Sequence, residues 1–153
     1  MSDLDEVVRR LDAIESIESI KQLKARYFRF VDEKKHDELA ALFTPDARIV
    51  TDGITWGSPA EFADTIRDLI GAAPTVHHGH MPEIEITGQD AASGIWAMED
   101  LLTFPAGENA PEGHDGYGQY RETYLRVGGR WLIDSLLLTR FRMDPLENWN
   151  PDA

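Results

Sequence analysis

Cysteine is absent from the 153 residues, which excludes disulfide staples and thiol nucleophiles and fits a reducing, cytoplasmic compartment. Basic residues are scarce: 15 Lys and Arg stand against 28 Asp and Glu, a formal charge of −13. A nucleic-acid partner needs a basic face to neutralise phosphates, so this balance argues against one. An anionic membrane surface is disfavoured for the same reason. Apolar runs are only a few residues long, too short to span a bilayer. The acidic start, MSDLDEVVRRLDAIESIESI, lacks the basic flank and apolar stretch of a secretory signal. Internal repeats and low-complexity segments are missing as well.

What remains is an ordinary globular composition, 42% hydrophobic and 28% charged, long enough for one core. The expectation is a single domain over residues 1–143 and a polar tail over 144–153. Residues 3–34 carry helical periodicity, with Leu4, Val7, Leu11 and Ile14 on one stripe and Ile20, Leu23, Tyr27, Phe30 and Val31 on the next. Ser19 with Gln22 three residues on predicts a capping box, and so a bend near residues 16–19. A short helix fits 36–42, stopped by Thr44-Pro45-Asp46, and a strand fits 47–51 before an Asp52-Gly53 turn. Ser58-Pro59 opens a third helix that Gly71 ends. From Thr75 the period changes to two, predicting strands over 76–87, 92–104, 117–127 and 130–143, with a flexible loop at 105–116. Helices followed by consecutive antiparallel strands make an α+β pattern, most simply a strongly curved sheet wrapped around the helices as a cone.

The stretch TVHHGHMPEIEI, residues 75–86, gathers three histidines at the start of a strand. His77, Gly79 and Met81 share one face, and His78 and His80 the other. His78 and His80 have metal-ligand spacing, but no cysteine or third ligand accompanies them, so no metal is expected and a polar sheet face or subunit contact is the plainer reading. His77 has space beside it at Gly79. A histidine base needs a carboxylate behind it, and Asp32, near the apolar stripe at a helix end, is the best placed; the alternative is a satisfied core histidine. Along 92–104, Trp96, Met98, Asp100, Leu102 and Phe104 share a face, which puts a carboxylate among apolar groups where it needs a partner. Leu132, Asp134, Leu136, Leu138 and Arg140 are expected on one face of the last strand, so Arg140 can supply that partner. The Asp100–Arg140 pair is then either structural or part of a site.

The segments IKQLKARYFRFVDEKKHDELAALF with Thr44-Pro45-Asp46-Ala47, then HHGHMPEIEITG, GIWAMED, GQYRETYLRVGGRWLI and LLLTRFRMD, resemble in order the SnoaL-like branch of the nuclear-transport-factor-2-like superfamily. The resemblance covers nearly the whole chain and implies a cone-shaped α+β barrel that assembles as a homodimer or homotrimer. Within the branch the chain most resembles the scytalone dehydratase, bile-acid dehydratase and dehydrochlorinase group, which works without a cofactor and uses a His–Asp dyad. Carried over by motif, the helix tyrosine is Tyr27, the dyad is Asp32 and His77, and the further acid and cation are Asp100 and Arg140. The resemblance therefore implies elimination of water or another small leaving group from a hydrophobic alicyclic or polycyclic molecule. Trp56, Trp96, Met98, Leu102 and Phe104 are the expected pocket lining. The alternatives are a ketosteroid-isomerase-like proton shuttle with Asp100 as base, and a non-catalytic ligand-binding or assembly module such as the small subunits of aromatic-ring dioxygenases.

Overall fold

The computed structural model of the chain describes residues 2–104 and 113–146. Helix α1 runs unbroken over Asp3–Asp32. Ser2 caps it: its hydroxyl accepts from the Asp5 amide at 3.1 Å, while the Asp5 carboxylate accepts from the Ser2 amide at 3.0 Å. The expected bend at 16–19 is absent. No Gly or Pro interrupts the segment, and Gln22 donates to Glu18 one turn back at 3.1 Å instead of closing a box with Ser19. The second stripe, with Ile20, Leu23, Tyr27 and Val31, is buried, each side chain contributing roughly 1.5–3 kcal/mol. The first stripe is not: Leu4, Val7, Leu11 and Ile14 are all exposed.

A short helix α2 spans His36–Ala40, and α3 spans Pro59–Ile70 with Ser58 accepting from the Glu61 amide and Pro59 at its first position. Strands β1 (Phe43–Thr51), β2 (Ile54–Trp56), β3 (Thr75–Gly88), β4 (Ala91–Thr103), β5 (Gly113–Val127) and β6 (Arg130–Pro145) form one curved sheet in the order β2-β1-β6-β5-β4-β3. The sheet is open, with β2 and β3 as its edges, and mixed, because β1 runs parallel to β6. Pro45 lies inside β1 instead of stopping a helix. It is tolerated because the ladder to β6 is interrupted between Phe43 and Arg48, where its missing N–H leaves no pairing unmet. Of the loop expected at 105–116, residues 113–116 belong to β5 and 105–112 lie outside the described residues; so do residues 147–153 of the tail.

One register detail corrects the expected face of β6. Thr123 pairs with Ser135 but Tyr124 pairs with Ile133, so Asp134 is an extra residue in the strand. The bulge reverses the alternation: Trp131 and Ile133 point inward before it, Leu136, Leu138 and Arg140 after it, and Leu132 does not share their face. Asp134 itself accepts a hydrogen bond from Thr44 at 2.8 Å, tying β1 to the bulge. The core lies between the concave sheet and the buried half of α1, with α3 packed on β1.

Candidate active site

Asp32 ends α1 directly beneath the start of β3. Its Oδ1 accepts from His77 Nδ1 at 2.7 Å and from the Thr75 hydroxyl at 3.0 Å, and its Oδ2 accepts from the His77 backbone amide at 3.0 Å. Lys34, just past the helix, donates to the Thr75 hydroxyl at 2.9 Å. The carboxylate is thus met by three partners, and the neutral tautomer that satisfies it, with the proton on Nδ1, leaves the lone pair on Nε2. The His77 side chain is 10% exposed and lines an apolar cavity.

Asp100 sits opposite His77 in the β3–β4 ladder and is buried. Both its oxygens accept from Arg140, Nη1 to Oδ1 and Nη2 to Oδ2, each at 2.8 Å. Arg140 Nε donates in turn to Asp52 at 2.6 Å, so the guanidinium is held between two carboxylates. Burial alone pulls its pKa down, but the hydrogen bonds and charge of Asp100 and Asp52 outweigh that and hold it above the ordinary arginine value. Gly116, on β5, makes room: a Cβ there would collide with Arg140 and Asp100. His114 Nε2 stands 3.9 Å from Asp100 Oδ1. Burial, then the Arg140 charge, pulls that imidazole below its ordinary 6.5 against the opposing pull of Asp100.

Behind these groups lies a buried ion pair that sequence reasoning missed. Lys24 and Glu122 have no exposed side-chain surface and meet at 2.5 Å. The second oxygen of Glu122 accepts from Tyr124 at 2.5 Å, and the Tyr124 hydroxyl accepts from Trp96 Nε1 at 2.9 Å. The ammonium of Lys24 stands 3.8 Å from the ring centre of Tyr27 and 3.6 Å from that of Tyr120. Desolvation lowers its pKa, with Glu122 opposing. Tyr27, 3% exposed, has its hydroxyl pKa pushed well up, by burial first and then by the charge of Glu122, so it stays a protonated donor. The signal was there to read: Lys24 follows Ile20 by four and precedes Tyr27 by three, on the buried stripe.

Tyr27, His77, Asp100 and Arg140 all line one cavity of about 310 Å³, walled by Trp56, Phe62, Ile66, Leu102 and Leu138. Of the expected lining, Trp56 and Leu102 are in place. Trp96 and Met98 are not part of this wall among the described residues. Both are buried in the core, Trp96 because its indole N–H is committed to Tyr124. Phe104 packs edge-on against His114, ring centres 5.7 Å apart, and is likewise absent from the wall. His78 and His80 turn to the opposite side of the sheet, toward Glu99.

The profile of the SnoaL-like domain matches residues 12–136. The chain belongs to the SnoaL-like family. A protein named as a probable cyclase, FGR4, of Gibberella zeae is 26% identical to this SnoaL-like chain over 136 residues, spanning 79% of it and 88% of its own length. Among solved structures, a scytalone dehydratase-like protein of Novosphingobium aromaticivorans superposes with a TM-score of 0.77 at 18% identity, covering 89% of this chain and 91% of its own. A hexachlorocyclohexane dehydrochlorinase (LinA type 3) of Novosphingobium barchaimii gives 0.77 at 22% identity, with 92% and 96% covered. At these identities the structures establish the SnoaL-like fold.

Proposed function

We propose that this protein is a cofactor-independent lyase that eliminates water or another small leaving group from a hydrophobic alicyclic or polycyclic molecule. The observation that carries the reading is the placement of His77. Its Nδ1 is committed to Asp32 while its side chain lines an apolar cavity that also holds a phenol and a guanidinium. A neutral imidazole in that position can take a proton through Nε2, and Asp32 stabilises the imidazolium that forms. Tyr27 donates a hydrogen bond to the oxygen on which negative charge develops, ideally a carbonyl beside the breaking C–H bond. Arg140 offers positive charge to the departing group. A cavity of about 310 Å³ suits one small ring system. Dehydration and dehydrochlorination, the reactions named for two relatives, are both eliminations begun by loss of a proton, and the relatives named for a reaction support an enzyme over an inert module.

The isomerase-like alternative places the base at Asp100. Both Asp100 oxygens already accept hydrogen bonds from the bidentate Arg140, whereas Nε2 of His77 carries no such commitment among the described residues, so the geometry favours His77. The test is a panel of cyclic β-hydroxy ketones, chlorinated cyclohexanes and steroid-sized enones, assayed for loss of water or chloride. Elimination abolished by His77→Ala supports the proposal. Double-bond migration without loss of a group, or full turnover by His77→Ala with none by Asp100→Asn, replaces it by the isomerase reading. No turnover of any panel member, with stable capture of a larger partner, favours the assembly module.

A further inference from the structure

Independently of the inward cavity, the outward side of the same strands carries a second cluster. His78 and His80 stand two residues apart on β3, and Glu99 on β4 lies directly opposite His78 in the ladder, two pairs along from His80. Sequence spacing offered two ligands; the register supplies the third. Glu99 Oε1 is 2.9 Å from His78 Nδ1 and 3.4 Å from His80 Nε2, and the three donor atoms all lie within 4.8 Å of one another.

We infer that His78, His80 and Glu99 form a binding site for a divalent transition-metal ion, zinc, nickel or copper by donor type. Metal–nitrogen and metal–oxygen bonds near 2.1 Å at tetrahedral angles separate donor atoms by about 3.4 Å, against 2.9 and 3.4 Å for the two His–Glu99 contacts, so small side-chain shifts would seat an ion. Two imidazoles and one carboxylate suit such ions and not magnesium or calcium, which take oxygen ligands. The side chains are 52%, 51% and 34% exposed, which leaves the fourth position to water and the site open to exchange. The net charge of −13 raises the local concentration of cations around the chain. An ion held here clips β3, the sheet edge that carries His77 on its other face, to β4.

The test uses the full, untagged chain, stripped with a chelator and titrated with zinc, nickel and cobalt separately by calorimetry. The expected result is one ion per chain at micromolar or tighter affinity and a raised melting temperature with zinc. Cobalt should give the visible absorption of four-coordinate nitrogen and oxygen ligation. His80→Ala and the near-isosteric Glu99→Gln should each weaken binding at least about ten-fold, by the loss of one of three ligands. Unchanged circular dichroism in the stripped variants separates that loss from misfolding. Binding only in the millimolar range, binding unaffected by both substitutions, or half an ion per chain shared between two copies would each overturn the site.

Discussion

Across the β3–β4 pair, the inward face carries His77 and Asp100 and the outward face His78, His80 and Glu99. The two sets alternate along the same strands. On the inward side every polar group is fixed by partners from distant elements: Asp32 from α1, Arg140 from β6, Asp52 from the β1–β2 turn. On the outward side, among the described residues, His78, His80 and Glu99 pair only with one another, and roughly half of each imidazole is in water. The same contrast recurs on β5, where buried Glu122 is bonded to Lys24 and its exposed neighbour Thr123 shares one 2.6 Å hydrogen bond with Ser135. Period-two alternation thus separates groups held at defined positions from groups free to titrate, exchange or bind without disturbing the fold.

The largest effect should follow from breaking the buried pair. Glu122→Leu strands the Lys24 ammonium in the core and should cost about 3–5 kcal/mol by urea denaturation, whereas Lys24→Met combined with Glu122→Leu should recover most of it. Thr123→Ala, one residue away but outward, should cost no more than about 1 kcal/mol. Next comes the dyad: His77→Ala should lower kcat/KM on a true substrate about 10²-fold or more. Asp32→Asn should lose much of the rate with the fold retained, and the two together should be far from additive.

A pH effect on stability should be smaller. Burial, followed by the charges of Arg67 and Lys34, pulls His36 below its ordinary 6.5, with Asp37 and Asp64 opposing, and His114 is lowered in the same way. The fold therefore favours the neutral form of both. As pH falls below 6.5, the unfolded chain takes up protons that the folded chain does not, so stability should fall. Comparing urea midpoints at about pH 7.5 and about pH 5.5 checks this, and His114→Gln should flatten the slope. The smallest effects belong to the outward face. Chelation should leave turnover unchanged while lowering the melting temperature. Self-association is expected through the outward face of β5 and β6, where Leu125 and Leu137 are partly exposed; Leu137→Glu should reduce the solution mass toward the monomer without altering the fold.

Much of this arrangement was legible in the residues. The caps of α3, the switch to period two at Thr75, and the shared face of Trp96, Met98, Asp100 and Leu102 follow from spacing and local stereochemistry. Tyr27, His77, Asp100 and Arg140 line one cavity, and Asp32 stands behind His77. What spacing could not supply was partnership. Periodicity marks Leu4, Val7, Leu11 and Ile14 as one stripe but not whether anything covers it, and nothing among the described residues does. The bulge at Asp134 is a property of pairing with β5, invisible in β6 alone. Nothing within β4 marks Glu99 as paired, because its link to His78 exists only across the ladder.

The parallel pairing of β1 with β6 bears on how the molecule is made. Strands β3 to β6 follow one another and can pair as they leave the ribosome, but β1 must wait for a partner near the end of the chain. Asp52 and Arg140, which meet in the cavity lining, are 88 positions apart. Closing so long a loop is entropically expensive and slow compared with forming neighbouring hairpins. The cavity therefore cannot be complete until β6, which carries Leu138 and Arg140, is in place. A nascent chain lacking β6 exposes the edge of β1 and the apolar side of α3, and it is in that interval, before any substrate could bind, that the chain is most open to aggregation and proteolysis.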